Sequence, residues 1–180
     1  MIISLLQDLE NQSNFRKIPI LGREKGTWLH AKVEEIQPER VLELGTANGY
    51  SGIILGNEGA ELITIEINPV MAEEARNNFV QFSVNAKIIV GDAVVEVQKL
   101  VQDENNAESF DIIFIDFAKA RYIEVLENCL KLVKKGGFII ADNISMEGCQ
   151  NYKMAVLKHP QFKTELIKIK DGLSCSERIK

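Results

Sequence analysis

The sequence predicts a doubly wound α/β fold, a parallel sheet between helical layers that ends in an antiparallel hairpin. Three observations carry this. Five short apolar runs alternate with longer helical stretches, as successive βαβ units require. Four of the runs are apolar at nearly every position, the pattern of strands buried on both faces. At the C-terminus, "FKTELIKIK" and "LSCSERIK" flank Asp171-Gly172 with no helix between them, and Asp-Gly between extended segments signals a hairpin.

Taken in order, the expected strands are "RVLEL" at 40–44, "ELITIE" at 61–66, "AKIIV" at 86–90, "FDIIFID" at 110–116 and "GFIIAD" at 137–142. Helices are expected at 49–55, 69–82, 92–101 and 119–133. Pro69 suits a first helical turn, where its missing N–H costs nothing. Gly136 and Gly137 fall where the last of these helices should be capped. Right-handed crossovers place helices on both faces of the sheet. Ahead of the first strand, Ile2, Leu5, Leu6 and Leu9 share one helical face. Residues 1–20 therefore read as a short helical segment that packs on the domain or on a second subunit. No repeat, low-complexity tract or linker interrupts the chain, so 1–180 is read as one domain.

The net charge of −5 argues against a broad nucleic-acid or anionic-membrane footprint, leaving only local patches such as Lys131, Lys134 and Lys135. Cys129, Cys149 and Cys175 form no CxxC pair and read as reduced thiols. "MIISLLQDLENQ" has neither a basic n-region nor a cleavage site, and Asp8 and Glu10 interrupt its apolar run. The expectation is a cytoplasmic protein without a membrane partner. His30 and His159 are not spaced as ligands and are assigned to structure or solvent.

Ligands of doubly wound sheets bind beyond the carboxyl ends of the strands. The loop after the first strand, "LELGTANGYSG", brings Gly45, Gly49 and Gly52 close to such a ligand. Glu66 ends the second strand, placed to hold two ribose hydroxyls. The glycine spacing is not that of pyrophosphate binders, and the Glu43 charge would repel a pyrophosphate. A nucleoside with a cationic amine fits better, and S-adenosylmethionine is such a ligand. Asp92, after the third strand, either caps a helix or touches the adenine edge.

Asp116 ends the fourth strand, and Asp142 with Asn143 ends the fifth. In a sheet of this kind these strands are neighbours, so three oxygen donors converge, a set suited to a hard cation such as Mg²⁺. Taken singly, Asp116 also reads as a helix cap and "ADN" as an Asx turn. Lys119 opens the following helix against its dipole. Beside a cation it becomes a usable general base.

The segments "VLELGTANGYS", "ITIEINP", "VGDA", "FIDFAKARY", "GGFIIADNI" and "DGL" occur in an order and spacing that resembles the cation-dependent, catechol-type O-methyltransferases over roughly residues 21–180. The resemblance implies a Rossmann-like, seven-stranded methyltransferase sheet with a C-terminal antiparallel hairpin, and S-adenosylmethionine as methyl donor. It implies a divalent metal, Mg²⁺ first, at Asp116, Asp142 and Asn143, with Lys119 and Asp116 at the catalytic positions. Cofactor positions carried over are Leu21, Glu43, Gly45, Tyr50, Ser51, Glu66, Asp92 and Asp116, and Glu165 matches a substrate-hydroxyl contact. The implied acceptor is a small hydroxylated, catechol-like aromatic whose proton Lys119 takes. The chain departs from the family pattern on the substrate side. Little precedes Leu21, the stretch between Asn143 and the hairpin is short, and Phe117 and Ala118 replace a polar pair. Two other readings stay open: methylation of a hydroxylated base in tRNA, and a non-catalytic nucleoside-binding protein with a vestigial site. A homodimer through the apolar N-terminal face is a further option that the resemblance brings.

Overall fold

The computed structural model describes residues 2–180. Its elements are α1 (Ile2–Leu5), α2 (Gln7–Arg16), α3 (Arg23–Ile36), β1 (Arg40–Leu44), α4 (Tyr50–Gly56), β2 (Glu61–Glu66), α5 (Pro69–Gln81), β3 (Ala86–Val90), α6 (Ala93–Gln102), β4 (Phe110–Ile115), α7 (Tyr122–Leu132), β5 (Val133–Asp142), α8 (Gln150–Lys158), β6 (Phe162–Ile167) and β7 (Leu173–Arg178). The strands form one seven-stranded mixed sheet in the order β3-β2-β1-β4-β5-β7-β6. The doubly wound sheet and its terminal hairpin are as the sequence predicts. By packing, the chain divides into two compact units, the second being Asp92–Lys180. Among the described residues, no helix is long and apolar enough to cross a membrane.

In the first unit, β1 pairs with β2 and β2 with β3, all parallel. Val41, Leu42, Leu44, Leu62 and Ile65 are buried along β1 and β2, which is why those runs carry no polar alternation, whereas the edge strand β3 buries none of its residues. Helix α4 packs on β1 and β2, and α5 on β2 and β3. Helix α5 starts where it does because Asn68 Oδ1 accepts the Val70 amide at 2.9 Å and Pro69 sets the first turn. The N-terminal face differs from expectation. Ile2, Leu6 and Leu9 are buried, but Leu5 is 67% exposed and Ile3 is buried instead. Leu6, between α1 and α2, stays in the right-handed helical region, and Ile2, Leu6, Leu9 and Ser13 keep helical spacing along one buried face, which is centred away from Leu5.

In the second unit, β4 and β5 are parallel, and β7 lies antiparallel between β5 and β6. The hairpin connection is longer than a two-residue Asp-Gly turn. Ile167 already pairs with Leu173, so residues 168–172 form the loop, and Gly172 donates to the Ile169 carbonyl at 2.8 Å. Gly136 and Gly137 do not cap α7, which ends at Leu132 and passes directly into β5. They lie in β5, where its pairing with β4 slips between Phe110↔Val133 and Ile112↔Phe138. A Cβ on Gly137 would sit 2.9 Å from Val133 Cγ2 and 3.0 Å from the Asp111 carbonyl, so the bulge is what demands glycine. Helix α8 has no counterpart among the expected elements. It buries only Tyr152 and Val156, too sparse an apolar stripe to announce a helix.

Candidate active site

In the first unit the site is built around two carboxylates at the ends of β1 and β2. Glu43 is fully buried. Its oxygens accept the Ser51 hydroxyl and the Thr64 hydroxyl, each at 2.6 Å. Thr46 and Thr64 hydroxyls lie 2.5 Å apart, so with Thr64 donating to Glu43, Thr46 donates to Thr64. Such charge-assisted bonds offset the desolvation of an enclosed carboxylate. Glu43 thus braces β1, β2 and the first turn of α4.

Glu66 gathers the loop that follows β1. Its Oε2 accepts the amides of Thr46 (3.1 Å) and Ala47 (2.8 Å), and its Oε1 accepts that of Asn68 (2.8 Å). An ionised carboxylate offers about four lone-pair sites, so these bonds leave acceptor capacity for a ligand hydroxyl. Ala47 holds φ 46°, a strained value for a residue with a side chain, where its amide reaches Glu66. Gly45 takes φ 100° and donates to the Ile65 carbonyl at 2.9 Å. Leu21 is buried ahead of α3. Tyr50 is also buried, and burial, then the neighbouring Glu10 carboxylate, push its phenol up to about 12.

The second unit holds the oxygen donors. Ile115 pairs with Ala141, so Asp116 and Asp142 leave adjacent parallel strands at the same level. Strands in that relation lie about 4.8 Å apart. Lys119 Nζ is 2.6 Å from Asp116 Oδ1. Lys119 belongs to a 3₁₀ turn, Lys119–Arg121, ahead of α7, so it does not sit in the first turn of that helix and the expected dipole penalty does not arise. Asp116 caps nothing; the residue before the turn is Ala118, which offers no side-chain cap.

Asn143 adopts φ 55° and donates its backbone amide to Asp142 Oδ1 at 2.6 Å. Its side-chain Nδ2 donates to Asp171 Oδ2 at 2.5 Å, which leaves the amide oxygen as the remaining polar atom of that side chain. Asp171 is a residue that sequence reasoning used only as a turn former. Its Asp-Gly signal carried no hint that the loop returns this carboxylate to the strand ends.

Two buried groups report how these charges converge. The Cys149 thiol is raised first by burial, is lowered by Lys119 and is raised again by Asp142, Asp116 and Asp171. Burial, then Asp116, Cys149 and Asp142 raise the Tyr122 phenol. Lys119 and three carboxylates therefore act on one place. Two carboxylates and an amide oxygen without sulfur or imidazole fit a hard divalent cation.

The other expected residues fall as follows. Asp92 caps α6, accepting the Val94 amide at 2.9 Å, and its Oδ2 lies 2.5 Å from Arg121 Nη1. The Arg121 contact, with the two capping amides, holds its carboxyl below the usual range. Glu165 is exposed on the outermost strand, β6, beside Lys163 on the same face. Lys134 pairs with Asp111 at 2.6 Å, which partly neutralises the basic patch. His159 ends α8 and packs against Phe162, with ring centroids 4.8 Å apart.

The family model described as O-methyltransferase matches residues 2–180. Catechol O-methyltransferase B of Danio rerio is 33% identical over 170 residues, covering 87% of this chain and 64% of that protein. Catechol O-methyltransferase of Mus musculus is 30% identical over 168 residues, covering 85% and 63%. The chain thus spans less than two thirds of either relative's length. Among solved structures, the O-methyltransferase TomG of Streptomyces achromogenes, involved in tomaymycin synthesis and solved in complex with S-adenosylmethionine, gives a TM-score of 0.87 at 22% identity, covering 97% of this chain and 89% of that one. At that identity the likeness is one of fold.

Proposed function

The chain belongs to the O-methyltransferase family, and from that premise we propose that it transfers a methyl group from S-adenosylmethionine to a hydroxyl of a small, catechol-like aromatic, with a divalent cation at Asp116, Asp142 and Asn143. The observation that carries this reading is the register of β4 on β5: Ile115 pairs with Ala141, so Asp116, with Lys119 Nζ 2.6 Å away, and Asp142, followed by Asn143, end neighbouring strands at the same level.

The cofactor residues are Leu21, Gly45, Tyr50, Ser51, Glu66, Asp92 and Asp116, with Glu43 acting through the Ser51 hydroxyl it accepts. Glu66 offers its remaining lone pairs to the ribose and holds Thr46 and Ala47 in place. Asn143 presents its amide oxygen as a ligand because its NH₂ is committed to Asp171. A cation bound there would supply positive charge that stabilises the ionised acceptor oxygen. Lys119, as the neutral amine with one N–H still donated to Asp116, receives the acceptor proton on its free lone pair. Phe117, half-buried next to Asp116 and 5.3 Å from the Tyr122 ring, offers an aromatic face to an aromatic acceptor. The free, buried cysteines support a reducing, cytoplasmic setting.

The test is mass spectrometry of the products formed from labelled S-adenosylmethionine, Mg²⁺ and a panel of vicinal diphenols, with bulk tRNA as competitor. A mono-methylated diphenol that vanishes in chelator is the expected result. Undiminished activity in excess chelator removes the cation from the reading, and methylation of tRNA in place of diphenols replaces the acceptor.

A further inference from the structure

His30, on α3, is 3% exposed, and its Nδ1 is enclosed without a hydrogen-bond partner. Its Nε2 stands 3.7 Å from Glu34 Oε1, one helical turn on and beyond hydrogen-bond distance. The imidazole is thus held in the fold with neither nitrogen hydrogen-bonded, and Nε2 is the nitrogen that faces a carboxylate. Glu58, in the turn after α4, completes the group: one donor atom each from His30, Glu34 and Glu58 lies within 4.8 Å of the other two. Asn57 Nδ2 donates to Glu58 Oε1 at 2.6 Å and so orients that carboxylate.

We propose that His30, Glu34 and Glu58 form a binding site for a borderline divalent cation of the Zn²⁺ class. His30 Nε2 and one oxygen from each glutamate are the ligands, and water takes the open position. Exposed glutamates alone would be an ordinary solvated pair. The buried imidazole facing them is what selects a cation that accepts nitrogen and oxygen together. Ligands at about 2.0–2.2 Å from a tetrahedral ion stand about 3.4 Å apart. The exposed side chains of Glu34 and Glu58 can make the small inward movement this requires. Mg²⁺, which prefers oxygen shells and retains its waters, is disfavoured. A bound ion would tie α3 to the outer end of α4, two helices already packed on each other. The sequence alone did not mark His30 as a ligand, because Glu58 comes from a separate element. This site stands on its own geometry and is independent of the methyl-transfer reading.

The experiment is calorimetric titration of ZnCl₂ into the metal-free protein in millimolar Mg²⁺, which occupies any oxygen-only site. Wild type is compared with the double variant Glu34→Gln, Glu58→Gln, whose changes fall on exposed side chains and spare the core. Wild type should bind one equivalent and gain thermal stability. The variant should bind at least roughly tenfold more weakly, since even an outer partner of a ligand is worth about that much, and should lose the thermal gain. With Co²⁺, only wild type should show the absorption of a tetrahedral ion. Unchanged Zn²⁺ affinity in a folded double variant, or no Zn²⁺ binding by wild type, overturns the site.

Discussion

Lys119 Nζ lies 2.6 Å from Asp116 Oδ1 where the buried strand β4 runs out. The pair accounts for a carboxylate at the end of an apolar run. Asp116 keeps 18% of its side chain exposed and has a cation within contact, so its charge is neither enclosed nor alone. The same contact holds the amine at the end of β4, where the proposed methyl transfer requires a proton acceptor.

Lys119→Met separates the amine from its stem. Methionine retains most of the apolar stem, so packing beside Tyr122 should be preserved, whereas the proton acceptor is lost. Turnover should fall about 10²- to 10⁴-fold, the usual range for a general base, with S-adenosylmethionine affinity within about twofold of wild type. Steady-state kinetics and calorimetry together check this. Equal losses in both would make Lys119 a cofactor-binding residue.

In the proposed reading, Asp142→Ala removes a cation ligand at the end of β5. Turnover should become negligible at ordinary Mg²⁺ and be partly restored at high Mg²⁺, while S-adenosylmethionine still binds. A Mg²⁺ titration of initial rates decides the matter. An unchanged half-saturating Mg²⁺ concentration would exclude Asp142 as a ligand.

Gly52→Ala probes the brace around Glu43. An added Cβ would lie 2.7 Å from Phe79 Cζ and 2.9 Å from Glu43 Oε2, so both the ring and the carboxylate must move. Overpacking of this kind costs about 1–3 kcal/mol, to be read as a lower urea midpoint. Gly59→Ala is a poor control, since its φ of 88° strains any side chain.

The Asp92–Arg121 pair predicts a pH dependence. Arg121 holds the folded Asp92 carboxyl below its usual range, whereas in the unfolded chain it titrates near about 3.9. The contribution of the pair is therefore complete above the unfolded value and is lost as pH falls through the depressed one. Arg121→Gln should lower the urea midpoint slightly at neutral pH, less so in high salt, and the gap to wild type should close in acid. A gap that persists in acid would mean that Arg121 acts through packing.

How much of this was legible in the sequence depends on whether a residue's role is local. Strands β1, β2 and β4 were readable because burial on both faces leaves unbroken apolar runs, as in Ile112 to Ile115, whereas the edge strand β3 was readable from its apolar composition although none of its residues is buried. Asp92 as a cap was readable for the same reason, because its partners are Val94 and Val95, two and three residues on. The exposure of Leu5 was not, because the buried face is centred on Ile2, Leu6, Leu9 and Ser13, and the polar Ser13 gave no apolar signal for it. Gly136 and Gly137 misled because a bulge and a helix cap make the same demand for glycine. In the site, Asp116, Asp142 and Lys119 were visible at strand ends, but the partner of Asn143 was not. Asp171 lies 28 residues further along the chain and reaches Asn143 only through the return of β7 alongside β5.

Glu66→Gln tests whether the carboxylate that ends β2 binds a ligand or only shapes the loop. Both of its oxygens accept backbone amides, Thr46 and Ala47 on one and Asn68 on the other. A glutamine amide has one acceptor oxygen and one donor NH₂, so in either orientation NH₂ faces an N–H. Leaving those donors unsatisfied costs about 1–3 kcal/mol, and the strained φ of Ala47 loses the bond that accompanies it. Stability should therefore fall in both accounts. The ligand account adds a second loss, because a ribose hydroxyl that donated to a charged acceptor now meets a weaker one. Such bonds are worth about 1.5–3 kcal/mol, roughly a 10- to 100-fold loss in S-adenosylmethionine affinity. Calorimetry well below the melting temperature of the variant separates the two effects. Lower stability with undiminished S-adenosylmethionine affinity would assign Glu66 to the loop alone.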